Sequence, residues 1–161
     1  MADCCSVKEN LAAPPATLAC PVCGTRSKQV DLLTVKSLVR HLPFVWTPAQ
    51  YYFCEAPGCD VVYFATDPRA ATFRRGDLLV RVGVKEPGDN ALLCYCFGVT
   101  RNDIREEIAR TGNSTATSRI RSEVKAGHCG CEVKNPSGKC CLGNVTRAIQ
   151  EALRPAKQQE A

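Results

Sequence analysis

All twelve cysteines of this 161-residue chain fall in close pairs: Cys4-Cys5, Cys20-x2-Cys23, Cys54-x4-Cys59, Cys94-x-Cys96, Cys129-x-Cys131 and Cys140-Cys141. Two sulfurs so close in the chain can reach one ion, which a disulfide framework does not require. Thiolates are soft donors and select zinc, Cu(I) or iron–sulfur clusters. Cysteine-rich chains are otherwise disulfide scaffolds of oxidising compartments. Here Met1–Glu9 has no basic start leading into an apolar run. Nor does any stretch approach the ~18 apolar residues of a membrane span. A cytoplasmic protein without membrane insertion is therefore expected, with reduced cysteines available to metal.

The first four-thiol set is Cys20, Cys23, Cys54 and Cys59. Cys20-Pro21-Val22-Cys23-Gly24 is a knuckle, and Cys54-Glu55-Ala56-Pro57-Gly58-Cys59 supplies the second pair from a hairpin. Four thiolates with no vacant position favour closed, tetrahedral, structural Zn2+. The second set starts at Cys94-Tyr95-Cys96, whose one-residue gap suits two ligands of one iron in a cluster. Its downstream candidates are Cys129, Cys131, Cys140 and Cys141, separated from Cys96 by enough chain for two helices. The spacing alone does not choose among these four. Cys140 and Cys141 open an expected helix, where the positive end of the dipole favours thiolate.

The elements that must position these sulfurs change character along the chain. Residues 6–19 read as a proline-rich lead-in. From about 20 to 85 the pattern is β-like, with Tyr51-Tyr52-Phe53, Val61-Val62-Tyr63-Phe64 and Leu78–Val82 as strand candidates and a short helix over 32–42. After the turn-rich Lys85–Asn90 the pattern becomes helical. Thr100 caps a helix carrying Ile104 and Ile108 that stops at Gly112. A second helix spans Ser114–Ala126, and a third carries Val145, Ile149 and Leu153 before Pro155. The expected fold class is α+β: a flexible tail (1–18), a small β-rich zinc-binding module (19–88), an all-α module (91–155) and a short tail (156–161).

The chain resembles two known groups. Cys94-x-Cys96, a gap of some 31–34 residues, a further cysteine and a last one opening a helix resemble the [2Fe–2S] domain of bacterioferritin-associated ferredoxin. A fuller resemblance, over about residues 19–154, is to the N-terminal part of CopZ-type iron–sulfur metallochaperones. It is carried by Cys20-Pro-Val-Cys23, Tyr52–Phe64, Arg81–Glu86, Cys94-Tyr95-Cys96 and the Cys131-x3-Asn135-Pro136-Ser137-Gly138-Lys139-Cys140-Cys141 run. It implies a zinc subdomain joined to a [2Fe–2S] cluster subdomain, with cluster ligands Cys94, Cys96, Cys131 and Cys141. Cys129 is extra to that pattern, and Cys140 is the other contender for the fourth place. The resemblance also implies electron transfer or metallochaperone-like handling of copper or mercury ions. The implied partners are metal ions with a copper or mercury transporter or a redox protein. Any catalysis would be one-electron reduction of an ion such as Cu(II). The group's Met-x-Cys-x-x-Cys copper loop has no counterpart here, since the one methionine is Met1.

Other signals exclude more than they suggest. With only His41 and His128, no Ser-His-Asp or Cys-His nucleophile arrangement can be assembled. His128, beside Cys129, is a candidate to tune the cluster through outer contacts. Gly138-Lys139-Cys140 lacks the remaining P-loop residues. The formal charge is +5, and residues 97–161 hold 11 Lys/Arg against 7 Asp/Glu. Those cations are scattered and only Phe97 is aromatic there, so no nucleic-acid partner is expected. Eight ligating thiolates and two metal centres would bring the loaded protein close to neutrality. Vicinal Cys4 and Cys5 suit soft-metal capture, and the plainer reading is an inert exposed pair. The alternative function is a non-catalytic metal- or redox-sensing interaction module whose cluster is structural.

Overall fold

A computed structural model of the chain describes residues 12–154. Cys4, Cys5 and most of the two expected tails lie outside the described residues. Five antiparallel strands form a meander in sequence order: β1 (Thr17–Ala19), β2 (Arg26–Val30), β3 (Tyr51–Phe53), β4 (Val61–Ala65) and β5 (Phe73–Arg74). Helix α1 (Leu32–Leu38) lies in the β2–β3 connection. Turns of a meander alternate between its two ends, so the β1–β2 and β3–β4 turns share one end. These are the turns that carry the four cysteines of the first set.

Strand periodicity divides the apolar residues between two faces. Tyr51, Phe53 and Tyr63 join Val30, Val35, Val39, Phe73, Leu78 and Val82 in a core on the α1 side. Tyr52 and Phe64, directly paired in register and stacked at 5.8 Å, pack on the other face with Val61, Cys20, Cys54 and Cys59. Both faces are covered, and for this reason β3 and the first four residues of β4 are buried throughout.

Two expectations for this module change. Thr17–Ala19, inside the anticipated featureless lead-in, is an edge strand paired with Arg26–Lys28. It is backed by the Tyr52 hydroxyl, which donates to the Pro15 carbonyl at 2.7 Å. Leu78–Val82 is not a strand. Leu78 makes one bridge to Val39, and the chain then turns through a 3-10 segment at Gly83–Lys85. Leu78 and Val82 fill the α1-side core without entering a ladder, while Leu79 is exposed.

The second module is helical but not wholly so. It begins with a hairpin, β6 (Leu92–Cys94) and β7 (Val99–Thr100), followed by α2 (Arg101–Thr111), α3 (Ala116–Lys125), α4 (Cys131–Lys134) and α5 (Leu142–Leu153). Thr100 and Asp103 form a reciprocal capping box on α2, and Gly112 closes that helix at φ 80°. Ile104, Ile120, Val145 and Ala148 meet Leu93, Cys94 and Cys141 in one core. The anticipated third helix is present from Leu142, while the four-residue α4 was not foreseen. The two modules lock together through α1 and α4. Thr34 Oγ1 donates to Glu132 O at 2.6 Å, and the buried Tyr63 hydroxyl donates to Pro136 O at 2.6 Å. Gly138 has φ 68°, and a Cβ there would sit 2.7 Å from Thr34 Oγ1. Glycine is therefore required on both grounds.

Candidate metal centres

The first set closes at the shared end of the sheet. In the β1–β2 turn the Gly24 amide donates to Cys20 O at 2.8 Å, with Gly24 at φ 73°, and the Cys20 amide donates to Thr25 O. In the β3–β4 turn the Cys54 amide donates to Val62 O and the Cys59 amide to Ala56 O. These bonds aim four sulfurs at one point, all within 4.8 Å of one another. Cys20 and Cys59 lie 3.9 Å apart, and Cys23 and Cys54 3.7 Å. Metal–sulfur bonds of ~2.3 Å give a tetrahedron with edges of about 3.8 Å, so the spacing fits zinc.

The protonation balance of the set also calls for a cation. The Thr25 hydroxyl and backbone amide hold the exposed Cys23 thiol down to about 6. Burial pushes Cys54 up to about 12 and also raises Cys59. Cys54 and Cys59 would ionise beside Cys23 where a positive ion met them.

The second set divides into a buried pair, Cys94 and Cys141, and a group of three, Cys96, Cys129 and Cys131, and leaves Cys140 out. Cys94, closing β6, and Cys141, capping α5, are both buried in the helical core. The neighbouring Cys141 thiol holds Cys94 down to about 6, and Cys94 together with burial pushes Cys141 up. Cys96, Cys129 and Cys131 lie within 4.8 Å of one another, with Cys96 and Cys131 3.6 Å apart and Cys129 and Cys131 3.3 Å apart. The Gly130 amide points at Cys96 Sγ from 3.3 Å. Burial raises Cys131, whereas the Cys131 backbone amide and thiol lower Cys129. Cys96 and Cys129 are half-buried and form the solvent-facing edge of the group. Cys140 is exposed.

Cys129, extra to the ligand pattern that the resemblance implies and an alternate for a cluster position, touches Cys131 as its Cys-x-Cys spacing allows. His128 is exposed, and its Nδ1 contacts Glu123 Oε2 at 2.6 Å. Lys85 was missed altogether. It is 2% exposed, and its Nζ reaches Ala56 O at 2.8 Å, Cys59 O at 3.0 Å and Cys54 Sγ at 3.7 Å. Nothing in its sequence neighbourhood distinguishes it from an ordinary surface lysine.

A meander that closes four cysteines at one end is a zinc-binding architecture, and residues 17–78 match the family described as a zinc binding domain. The copper chaperone CopZ of Archaeoglobus fulgidus is 35% identical to this chain over 132 residues, which is 81% of this chain and 61% of that protein. The X-ray structure of the N-terminal domain of that CopZ superposes with a TM-score of 0.63 at 35% identity, covering 81% of this chain and 96% of the solved domain. The chain belongs to the family of the CopZ N-terminal domain, and it shares that domain's order of an antiparallel sheet module followed by a helical region. It spans 61% of the length of the curated relative. Among the described residues no helix is long and apolar enough to cross a membrane.

Proposed function

We propose that this chain is a two-centre metalloprotein of metal handling, with a structural zinc on Cys20, Cys23, Cys54 and Cys59 and a [2Fe–2S] cluster on Cys94, Cys96, Cys131 and Cys141. The observation that carries the second half is the pairing of sulfurs from three separate elements. Cys96 lies 3.6 Å from Cys131, and Cys94 and Cys141 are buried together in one core, an arrangement that would supply two thiolates for each of two irons. Such a cluster, when bound, supplies a one-electron donor and acceptor. The chain's own contribution is burial of Cys94, Cys131 and Cys141, an amide aimed at Cys96, and a half-exposed edge at Cys96 and Cys129 for approach by a metal ion or a redox partner.

The relative's name, copper chaperone, supports copper as the ion handled, with mercury as another soft ion of the same preference. A copper transporter or a redox protein in the cytoplasm is the matching partner. The test is anaerobic purification followed by a one-electron reductive titration. A visible-region absorption that bleaches and returns, and that passes its electron to Cu(II), supports the reading. A purified chain without that absorption refutes the cluster. Placement of Cys94 and Cys141 in the helical core favours a second reading, in which the cluster only holds shape. Collapse of the cluster on reduction is the outcome that would select it.

A further inference from the structure

Lysine is among the residues least often buried without a partner, yet Lys85 is 2% exposed. Among the described residues the ion pairs involve Arg69, Arg74, Arg105, Arg119 and His128, and none involves Lys85. An ammonium taken from water needs a counter-charge. The charge within reach is sulfur: Nζ lies 3.7 Å from Cys54 Sγ and donates to Ala56 O and Cys59 O, the carbonyls of the same knuckle. A second cation flanks the turn, as Arg75 donates to Pro57 O, to Cys59 O at 3.4 Å and to Lys85 O at 2.9 Å. Four thiolates around one divalent ion carry a formal charge of about −2, and this is the missing partner.

We propose that Lys85 is the built-in counter-ion of the first centre. It offsets part of the tetrathiolate charge, donates an N–H···S bond to Cys54, and so favours the metal-bound state. This rests on the zinc reading above. The position of Lys85 extends its effect to the second centre. It ends the 3-10 turn Gly83–Lys85, whose Gly83 amide donates to the Tyr95 hydroxyl at 2.7 Å, and that hydroxyl donates to Arg81 O at 3.0 Å. Tyr95 separates Cys94 from Cys96. Metal at the first centre, by holding Lys85, holds the turn that anchors the second centre's hairpin.

The test uses the full chain with Co(II) in place of zinc, comparing wild type, Lys85→Met and Tyr95→Phe. Lys85→Met should weaken zinc about 10–100-fold in chelator competition, the usual effect of losing a partner of a metal ligand. It should also move the sulfur-to-cobalt charge-transfer band to lower energy, because the thiolate loses a hydrogen bond and a nearby positive charge. Tyr95→Phe should leave that band in place and loosen only the second centre. An unmoved band with unchanged zinc affinity in Lys85→Met overturns the proposal. If that variant does not fold, amine acetylation of the wild type decides. Lys85 should resist modification with zinc bound and react once zinc is chelated, and modification of zinc-loaded protein overturns the proposal. A wild type that binds neither zinc nor cobalt refutes the zinc reading and the proposal together.

Discussion

The two thiol groups differ in how they are assembled. In the first, two short turns at one end of a sheet bring four sulfurs to within 4.8 Å of one another, with sulfur–sulfur distances of 3.7 and 3.9 Å across the turns. Each turn is fixed by its own backbone hydrogen bonds. In the second, sulfurs arrive from a hairpin, from the short α4 and from the start of α5. Those elements are braced by the first module, through Thr34 and Tyr63 to the α4 segment and through Gly83 to Tyr95. The first centre is thus local and self-contained, and the second depends on tertiary contacts, many supplied by the first. Damage should therefore spread from the first centre to the second and not back.

The largest expected effect is Cys54→Ser. Structural zinc commonly contributes ~10 kcal/mol or more to the folding of a small domain, so loss of one donor should abolish zinc binding, melt the sheet and remove the second centre as well. Zinc analysis with circular dichroism and visible absorption would read all three. Survival of the second centre would break the asymmetry. Next, Cys141→Ser and Cys131→Ser should each abolish cluster absorption while leaving zinc and the sheet intact, and Cys129→Ser should keep the absorption. Loss of zinc in Cys141→Ser would contradict the dependence argued here.

Gly83→Ala sharpens the same point from the backbone, because its Cβ would lie 1.8 Å from Leu92 O. Forcing the hairpin away should cost about 3 kcal/mol, seen as a lower Tm and faster cluster loss with zinc retained. Tyr63→Phe leaves the buried Pro136 carbonyl without its donor, which should cost about 1–3 kcal/mol in urea denaturation. The smallest effect is Thr100→Ala. It removes the α2 cap at a cost of about 1 kcal/mol and should leave metal content unchanged.

This difference also sets what was legible in the chain. Local features could be read directly: the four cysteines that come together in the first set, the aromatic strands around Cys54 and Cys59, the Thr100 cap and the glycine stop at 112. Strand β2 escaped because Arg26-Ser27-Lys28-Gln29 is polar and buries only Ser27 and Val30. Leu78–Val82 has strand composition but no neighbour with which to form a ladder beyond the Val39 bridge. The roles of Cys129 and Lys85 depend on residues far away in the chain. Cys129 gains its place from the meeting of Cys96 with α4, and Lys85 from a turn that folds back over a knuckle 26–31 residues earlier.

The most direct test of two unlike centres is elemental analysis of the anaerobically purified wild-type chain, with acid-labile sulfide measured on the same sample. The account predicts one zinc, two irons and two sulfides per chain, with the irons and sulfides lost and the zinc kept in Cys141→Ser. A chain that carries zinc alone, or whose iron disappears only when Cys20, Cys23, Cys54 or Cys59 is replaced and survives replacement of Cys94 and Cys141, would contradict it.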